Sequence, residues 1–159
     1  MKISRILLAA GASGSGKTLI TCGLLQALVG RGLKTASFKC GPDYIDPMFH
    51  SRVIGTRSRN LDTFFTSENI TRGIFQKNAV DCDISVMEGV MGFYDGVGGT
   101  TTRASAYDLA RVTDTPVILI VNSKGMSVSL SAYIKGFLEY RKDSHITVSY
   151  THLRAHETV

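Results

Sequence analysis

Gly11-Ala12-Ser13-Gly14-Ser15-Gly16-Lys17-Thr18 satisfies the pattern G-x-x-x-x-G-K-[ST] at every fixed position. Its surroundings are those the pattern requires, with an apolar run, Ile3 to Ala9, before it and an amphipathic stretch, Thr18 to Arg31, after it. The reading is therefore strand, phosphate-binding loop, helix. Glycines let successive backbone N–H groups of residues 11–16 turn inward around phosphate oxygens, and the helix N-terminus adds partial positive charge. In that arrangement Gly11, Ala12, Ser13, Gly14, Ser15 and Gly16 cradle a nucleoside triphosphate, Lys17 bridges its outer phosphates, and the Thr18 hydroxyl ligates magnesium.

Working outward, short aliphatic or β-branched runs alternate with amphipathic stretches, the pattern of βα units around a parallel sheet. Three further strands are expected, Thr35 to Lys39, Ile84 to Glu88 and Val117 to Val121. The last is apolar throughout, as suits a strand covered on both faces. Helices are expected at Glu68 to Asn78, Ala104 to Val112 and Ser127 to Arg141. In the last of these, Leu130, Tyr133, Ile134, Phe137 and Leu138 fall on one face at helical spacing and read as core. Fold class is thus α/β, a parallel sheet of the P-loop NTPase type flanked by helices.

The 159 residues, 43% hydrophobic, suffice for one domain with its own core. No apolar block approaches the length that spans a bilayer, and no charged-then-apolar leader precedes the first strand, so a cytoplasmic protein without a membrane partner is expected. Cys22, Cys40 and Cys82 lie far apart without metal-site or redox spacing, and read as reduced structural thiols. The formal charge of +5 is scattered along the chain, which argues for phosphates or a polyanionic small molecule as readily as for nucleic acid. Residues 147–159 have no apolar period and resemble translated sequencing-adapter sequence; they are expected to be a non-native tail. A metal site at His152 and His156, four apart within it, is not expected.

Two segments at strand ends carry the remaining chemistry. Residues 38–50, FKCGPDYIDPMFH, read as a loop stiffened by two prolines and holding Asp43 and Asp46, three apart. Residues 86–96, VMEGVMGFYDG, end a buried strand on Glu88 and continue into a glycine-rich loop carrying Asp95. Glu88 is placed like the second magnesium carboxylate of P-loop enzymes. Each carboxylate alone is as well explained as a loop cap, but together at neighbouring carboxyl ends of an α/β sheet they favour a ligand site.

The run GPDYIDPMFH (41–50), with Lys39 before it, Asn60-Leu61-Asp62 after it and MEGVMGFYDG (87–96) beyond, resembles the cobyrinate a,c-diamide synthases, glutamine-dependent amidotransferases of cobalamin biosynthesis. The resemblance extends from residue 3 to about residue 146. It implies a dethiobiotin-synthetase-like nucleotide-binding domain, incomplete at its C-terminus, that uses ATP and Mg2+ to activate the a and c carboxylates of cobyrinate as acyl phosphates. It further implies that Thr18, Asp46 and Glu88 hold magnesium, that Lys17 stabilises the phosphates in transfer, and that Asp43, Tyr44 and Asp95 position substrate or intermediate. Members of this family take ammonia from glutamine through a C-terminal glutaminase domain, which nothing after residue 146 could supply; the fragment is then expected to bind nucleotide without glutamine-dependent turnover. A homodimer is compatible with this reading.

Two alternatives stay open. A nickel-sirohydrochlorin a,c-diamide synthase would face a similar ring with similar loops. A regulatory ATPase of the MinD/ParA kind is less well matched, because those proteins often carry an additional lysine early in the phosphate loop, where this chain has Ala12 and Ser13.

Overall fold

The computed structural model describes residues 3–152. Six strands form one sheet, β1 (Arg5–Ala10), β2 (Thr35–Cys40), β3 (Arg57–Leu61), β4 (Ile84–Glu88), β5 (Val117–Asn122) and β6 (Ile146–His152). They lie in the order β3-β2-β4-β1-β5-β6, and every pairing is parallel. Successive side chains of a strand point to opposite faces, so Leu7 and Ala9 enter one apolar cluster and Leu8 and Ala10 another. The first cluster holds Phe38, Phe75, Met87, Phe93 and Leu109; the second is closed by Leu25 and Ile54.

The helices are α1 (Lys17–Gly30), α2 (Ile45–Phe49), α3 (Glu68–Ala79), α4 (Ala106–Thr113) and α5 (Ser129–Tyr140). α1 ends in a Schellman arrangement: Gly32, at φ +81°, donates to Val29 O at 2.9 Å while Leu33 N–H reaches back to Leu28 O at 3.2 Å. α3 and α4 start on serines, Ser67 accepting from Ile70 N–H and Ser105 from Asp108 N–H.

The four strands and four helices expected from periodicity are present, with ends shifted by up to two residues. Three elements depart from expectation. Residues 45–54 are helical, not looped, with α2 running on as a π-helical turn, His50–Ile54. Pro47 fits because it occupies the first turn, where its missing N–H has no intrahelical partner to lose. β3 arises from Arg-Ser-Arg-Asn-Leu, a polar edge strand with no apolar alternation to announce it. β6 uses residues expected to form no element, pairing along the outer edge of β5 after a register shift between Val117 and Ile118. A parallel ladder needs only backbone groups, and Thr147, Val148, Tyr150 and Thr151 are β-favouring types. Residues 153–159 of that expected tail, His156 among them, lie outside the described residues. The α5 stripe is a correction of degree: Leu130, Tyr133, Ile134 and Phe137 are half-buried and Leu138 is exposed, so the helix contributes no fully buried residue.

Candidate functional site

The carboxyl ends of β1, β2 and β4 lie side by side, and their registers, Leu8 opposite Glu88 and Lys39 opposite Glu88, determine which side chains meet. From β1 the chain enters the phosphate loop, where Gly14 and Gly16 take φ of +73° and +82°. Gly11 is required for a different reason: a Cβ there would run into the Tyr133 hydroxyl of α5. Gly92 likewise lets the loop after β4 close on the phosphate loop, since a Cβ would lie 2.7 Å from Gly11 O and strike the Asp95 carboxylate.

Lys17 is buried and folds back on the loops, donating to Ala12 O at 3.0 Å and Met91 O at 2.7 Å. Met91 takes φ +48°, a left-handed conformation that is costly for a side chain of its kind, and it is this residue's carbonyl that Lys17 meets. Burial, and then the nearby Lys39 ammonium, lower the Lys17 pKa from its ordinary value.

A compact charge cluster sits beside Lys17. Thr18 donates to Glu88 Oε1 at 2.5 Å. Lys39 Nζ lies 2.7 Å from the same oxygen and 2.6 Å from Asp46 Oδ2. Glu88 is fully buried, and its second oxygen, Oε2, has no hydrogen-bond partner and lies 3.9 Å from His50 Nε2. His50 is itself fully enclosed and 3.6 Å from the Cys22 thiol. Burial lowers the pKa of His50 against the opposing pull of Glu88 and Asp46. For Lys39 burial acts the same way, but the hydrogen bonds it donates to Asp46 and Glu88 prevail and the net shift is upward.

Thr18 and Glu88 are therefore in direct contact, whereas Asp46 joins them across the Lys39 ammonium. Among the described residues no group of three or more His, Cys, Asp or Glu side chains has metal-binding spacing. The fit to a divalent ion rests instead on oxygen chemistry: hard cations take carboxylate and hydroxyl donors, and the buried Glu88 Oε2 has no hydrogen-bond partner.

Asp43 and Asp95 are held as loop locks. Asp43 Oδ1 accepts from Ile45 N–H at 2.8 Å and Asp46 N–H at 3.4 Å, while its carbonyl takes a bond from Asn60 at 2.8 Å. Asp95 Oδ2 accepts from Gly92 N–H at 3.0 Å, yet the carboxylate still faces the site, where it acts on Lys17 and on Tyr133. Tyr44 projects from the same loop and is 79% exposed. Asp43 and Tyr44 form part of the wall of an open cavity of about 690 Å³, which is completed by Asp62, Phe64, Phe65, Met91 and Val97. The phosphate loop borders a separate hollow of about 310 Å³ at Gly14, Gly16, Lys17, Thr18 and Leu19.

Sequence reasoning gave no role to Lys39, His50, Phe64 or Phe65 and read Cys22 as a structural thiol. A lysine inside the buried strand Thr-Ala-Ser-Phe-Lys-Cys was a signal, because a lysine is almost never enclosed without a partner. His50 offered none, since its burial depends on the helical turn. The three cysteines are unpaired, and burial drives the Cys40 thiol up to about 12. No described helix is long and apolar enough to cross a membrane.

Residues 6–142 match the family described as the CobQ/CobB/MinD/ParA nucleotide binding domain. A cobyrinate a,c-diamide synthase of Listeria innocua is 46% identical over 136 residues, which is 85% of this chain and 30% of that protein. A hydrogenobyrinate a,c-diamide synthase of Streptomyces coelicolor is 40% identical over 144 residues, 91% of this chain and 30% of that one. The chain thus spans about a third of the length of the curated relatives it matches. Among solved structures, the signal recognition particle receptor FtsY of Elizabethkingia anophelis superposes with a TM-score of 0.66 at 15% identity, covering 94% of this chain and 50% of the other. At that identity the likeness is one of fold, and the fold is that of P-loop nucleotide-binding proteins.

Proposed function

We propose, from the premise that this chain belongs to the CobQ/CobB/MinD/ParA nucleotide binding domain family, that it is the ATP-dependent, carboxylate-activating part of a cobyrinate a,c-diamide synthase. The observation that carries the reading is the meeting of Thr18, Glu88, Lys39 and Asp46 at three adjacent strand ends, next to an open cavity walled by Asp43 and Tyr44. Relatives named for this activity at 40–46% identity support it.

A carboxylate is a poor electrophile and needs activation before ammonia can attack it. In the proposed reaction a peripheral carboxylate oxygen of the corrinoid attacks the γ-phosphorus of ATP. The bond from that phosphorus to the β–γ bridging oxygen breaks, and ADP leaves with the electron pair. Ammonia then adds to the acyl phosphate, inorganic phosphate departs, and a proton is lost to give the amide. The backbone N–H groups of residues 11–16 bind the phosphates, and Lys17 exchanges its contacts with Ala12 O and Met91 O for the outer phosphates. Thr18, Asp46 and Glu88 are the oxygen donors that would hold magnesium, which when bound neutralises charge on the β- and γ-phosphates. Asp43, Tyr44 and Asp95 orient the incoming acid against the γ-phosphate. The ammonia comes from glutamine. The chain binds ATP, and it works in the cytoplasm with a small-molecule acid as its partner.

The test is a hydroxylamine quench of the chain incubated with Mg-ATP and cobyrinate, with nickel-sirohydrochlorin in parallel. Hydroxamate formed with cobyrinate, and reduced in Glu88→Gln, is the expected result. Hydroxamate with the nickel macrocycle alone would move the assignment to the sister reaction. ATP hydrolysis responsive to DNA or vesicles but not to either macrocycle would replace it with a switch ATPase.

A further inference from the structure

A second cavity, of about 420 Å³, lies behind the Asp43–Tyr44 wall and is lined also by Pro47, Met48, Ser51, Arg52, Ser58, Arg59 and Asn60. Among the described residues its two arginines, like Arg57, are held in no ion pair. Arg72 and Arg111 are tied to Glu68, and Arg5 to Asp114, whereas neither Arg52 nor Arg59 has a carboxylate partner among the described residues. Arg59 makes one bond, to Ser58 O at 2.7 Å, which leaves most of its donor fork open.

Of the other polar side chains lining the cavity, Ser51 is satisfied, its hydroxyl donating to Pro47 O at 2.7 Å. Ser58 is 4% exposed and its hydroxyl, enclosed, has no partner. Asn60 donates through Nδ2 to Asp43 O at 2.8 Å, but its Oδ1 is buried and unpaired. Neither orphaned atom is open to the cavity, so the two arginines are the donors it offers an anion. Asp43 presents the opposing charge, although its Oδ1 is already engaged by Ile45 and Asp46 N–H groups. The local backbone serves the same end. The π-helical turn His50–Ile54 carries Arg52, and β3 carries Ser58, Arg59 and Asn60 to the sheet's carboxyl end beside the Asp43–Tyr44 loop.

We infer that Arg52 and Arg59 form a docking subsite for a carboxylate arm of the substrate that is not itself being activated. The inference rests on the proposed function, because it takes the substrate to be a macrocycle bearing several peripheral carboxylates. Two guanidinium forks match a carboxylate's planar pair of acceptors. Asp43 and Tyr44 belong to the walls of both cavities, so an arm gripped here holds the ring against the face where another carboxylate meets the γ-phosphate. These residues act as positioning residues and take no part in bond making.

The test is titration of the chain, with magnesium and a nonhydrolysable ATP analogue bound, against cobyrinate and against its fully esterified form, followed by visible absorbance. Arg52→Gln and Arg59→Gln are each expected to weaken cobyrinate binding roughly tenfold to a hundredfold. Ester binding, nucleotide affinity and thermal midpoint stay as in the unaltered chain, and Arg→Lys at either position recovers part of the loss. If cobyrinate binds the unaltered chain and both Gln variants equally, the subsite is wrong while the proposed function stands. Loss of nucleotide affinity in place of cobyrinate affinity would assign the cavity to phosphate and overturn the subsite. If the unaltered chain, nucleotide bound, takes up neither macrocycle, the proposed function fails and the subsite with it.

Discussion

The two flanks of β1 are finished in opposite ways. Toward β4 and β2 the strand ends close over a charge cluster in which Glu88 and His50 are fully enclosed and Lys39 nearly so. Toward β5 the covering helix α5 has no fully buried residue, and β6 leaves Val148 and Tyr150 about half exposed. Burial makes electrostatics strong on the first flank, where each ion is held by few partners and little water. On the second flank solvent reaches most side chains of α5, although β5 beneath it stays mostly buried. The proposed chemistry lies on the flank where removing one group strands another.

That contrast is sharpest at Glu88. Glu88→Ala leaves the Lys39 ammonium buried with Asp46 as its remaining carboxylate, and breaking a buried pair from one side costs about 3–5 kcal/mol. Urea denaturation reads the loss directly. A cost below about 1 kcal/mol, the range of exposed pairs, would mean that the cluster is solvated and the two flanks are alike.

Lys17→Ala comes next and separates binding from stability. The side chain now satisfies only two backbone carbonyls, at an energetic disadvantage from its own burial. Nucleotide affinity should fall by about tenfold to a hundredfold, as for loss of one charge-assisted bond to phosphate, with no fall in urea midpoint. Unchanged affinity in a fluorescent-nucleotide titration would refute the phosphate-loop assignment.

His50 gives the enclosed flank a pH signature. Its folded pKa lies below the ordinary 6.5 because burial disfavours the imidazolium. The unfolded chain then binds the proton more readily, so the stability contributed by neutral His50 is fully present above 6.5 and is lost as pH falls through the folded value. Urea midpoints taken from about pH 7.5 to about pH 5.5 should decline more steeply in the unaltered chain than in His50→Gln. Parallel slopes would show that His50 is reached by solvent.

The same contrast explains what could be read before the structure. The phosphate loop and Glu88 were legible because each follows an apolar strand whose end periodicity locates. The partnership of Thr18, Lys39, Asp46 and Glu88 was not, because it depends on the β2–β4 register and on Asp46 being turned inward by α2. β3 escaped notice since Arg57 and Arg59 face solvent and its pairing to β2 is a backbone matter. Pro47 suggested a loop although, in a first helical turn, proline is compatible with helix. On the other flank, α5 showed a clear apolar stripe but not how much of it would be covered. Periodicity identifies a face without saying what packs on it.

Leu138 is the smallest test and bears on that last point. It lies on the α5 stripe and is 43% exposed, against complete burial for Leu25 of α1. Leu138→Ala should change stability by no more than about 0.5 kcal/mol, the usual range for an exposed site, and leave nucleotide binding untouched. A loss of about 2 kcal/mol or more, typical of emptying a packed leucine site, would show that something covers this face of α5 in solution. The open flank would then be an interface, and the asymmetry across β1 would belong to the chain by itself and not to its working assembly.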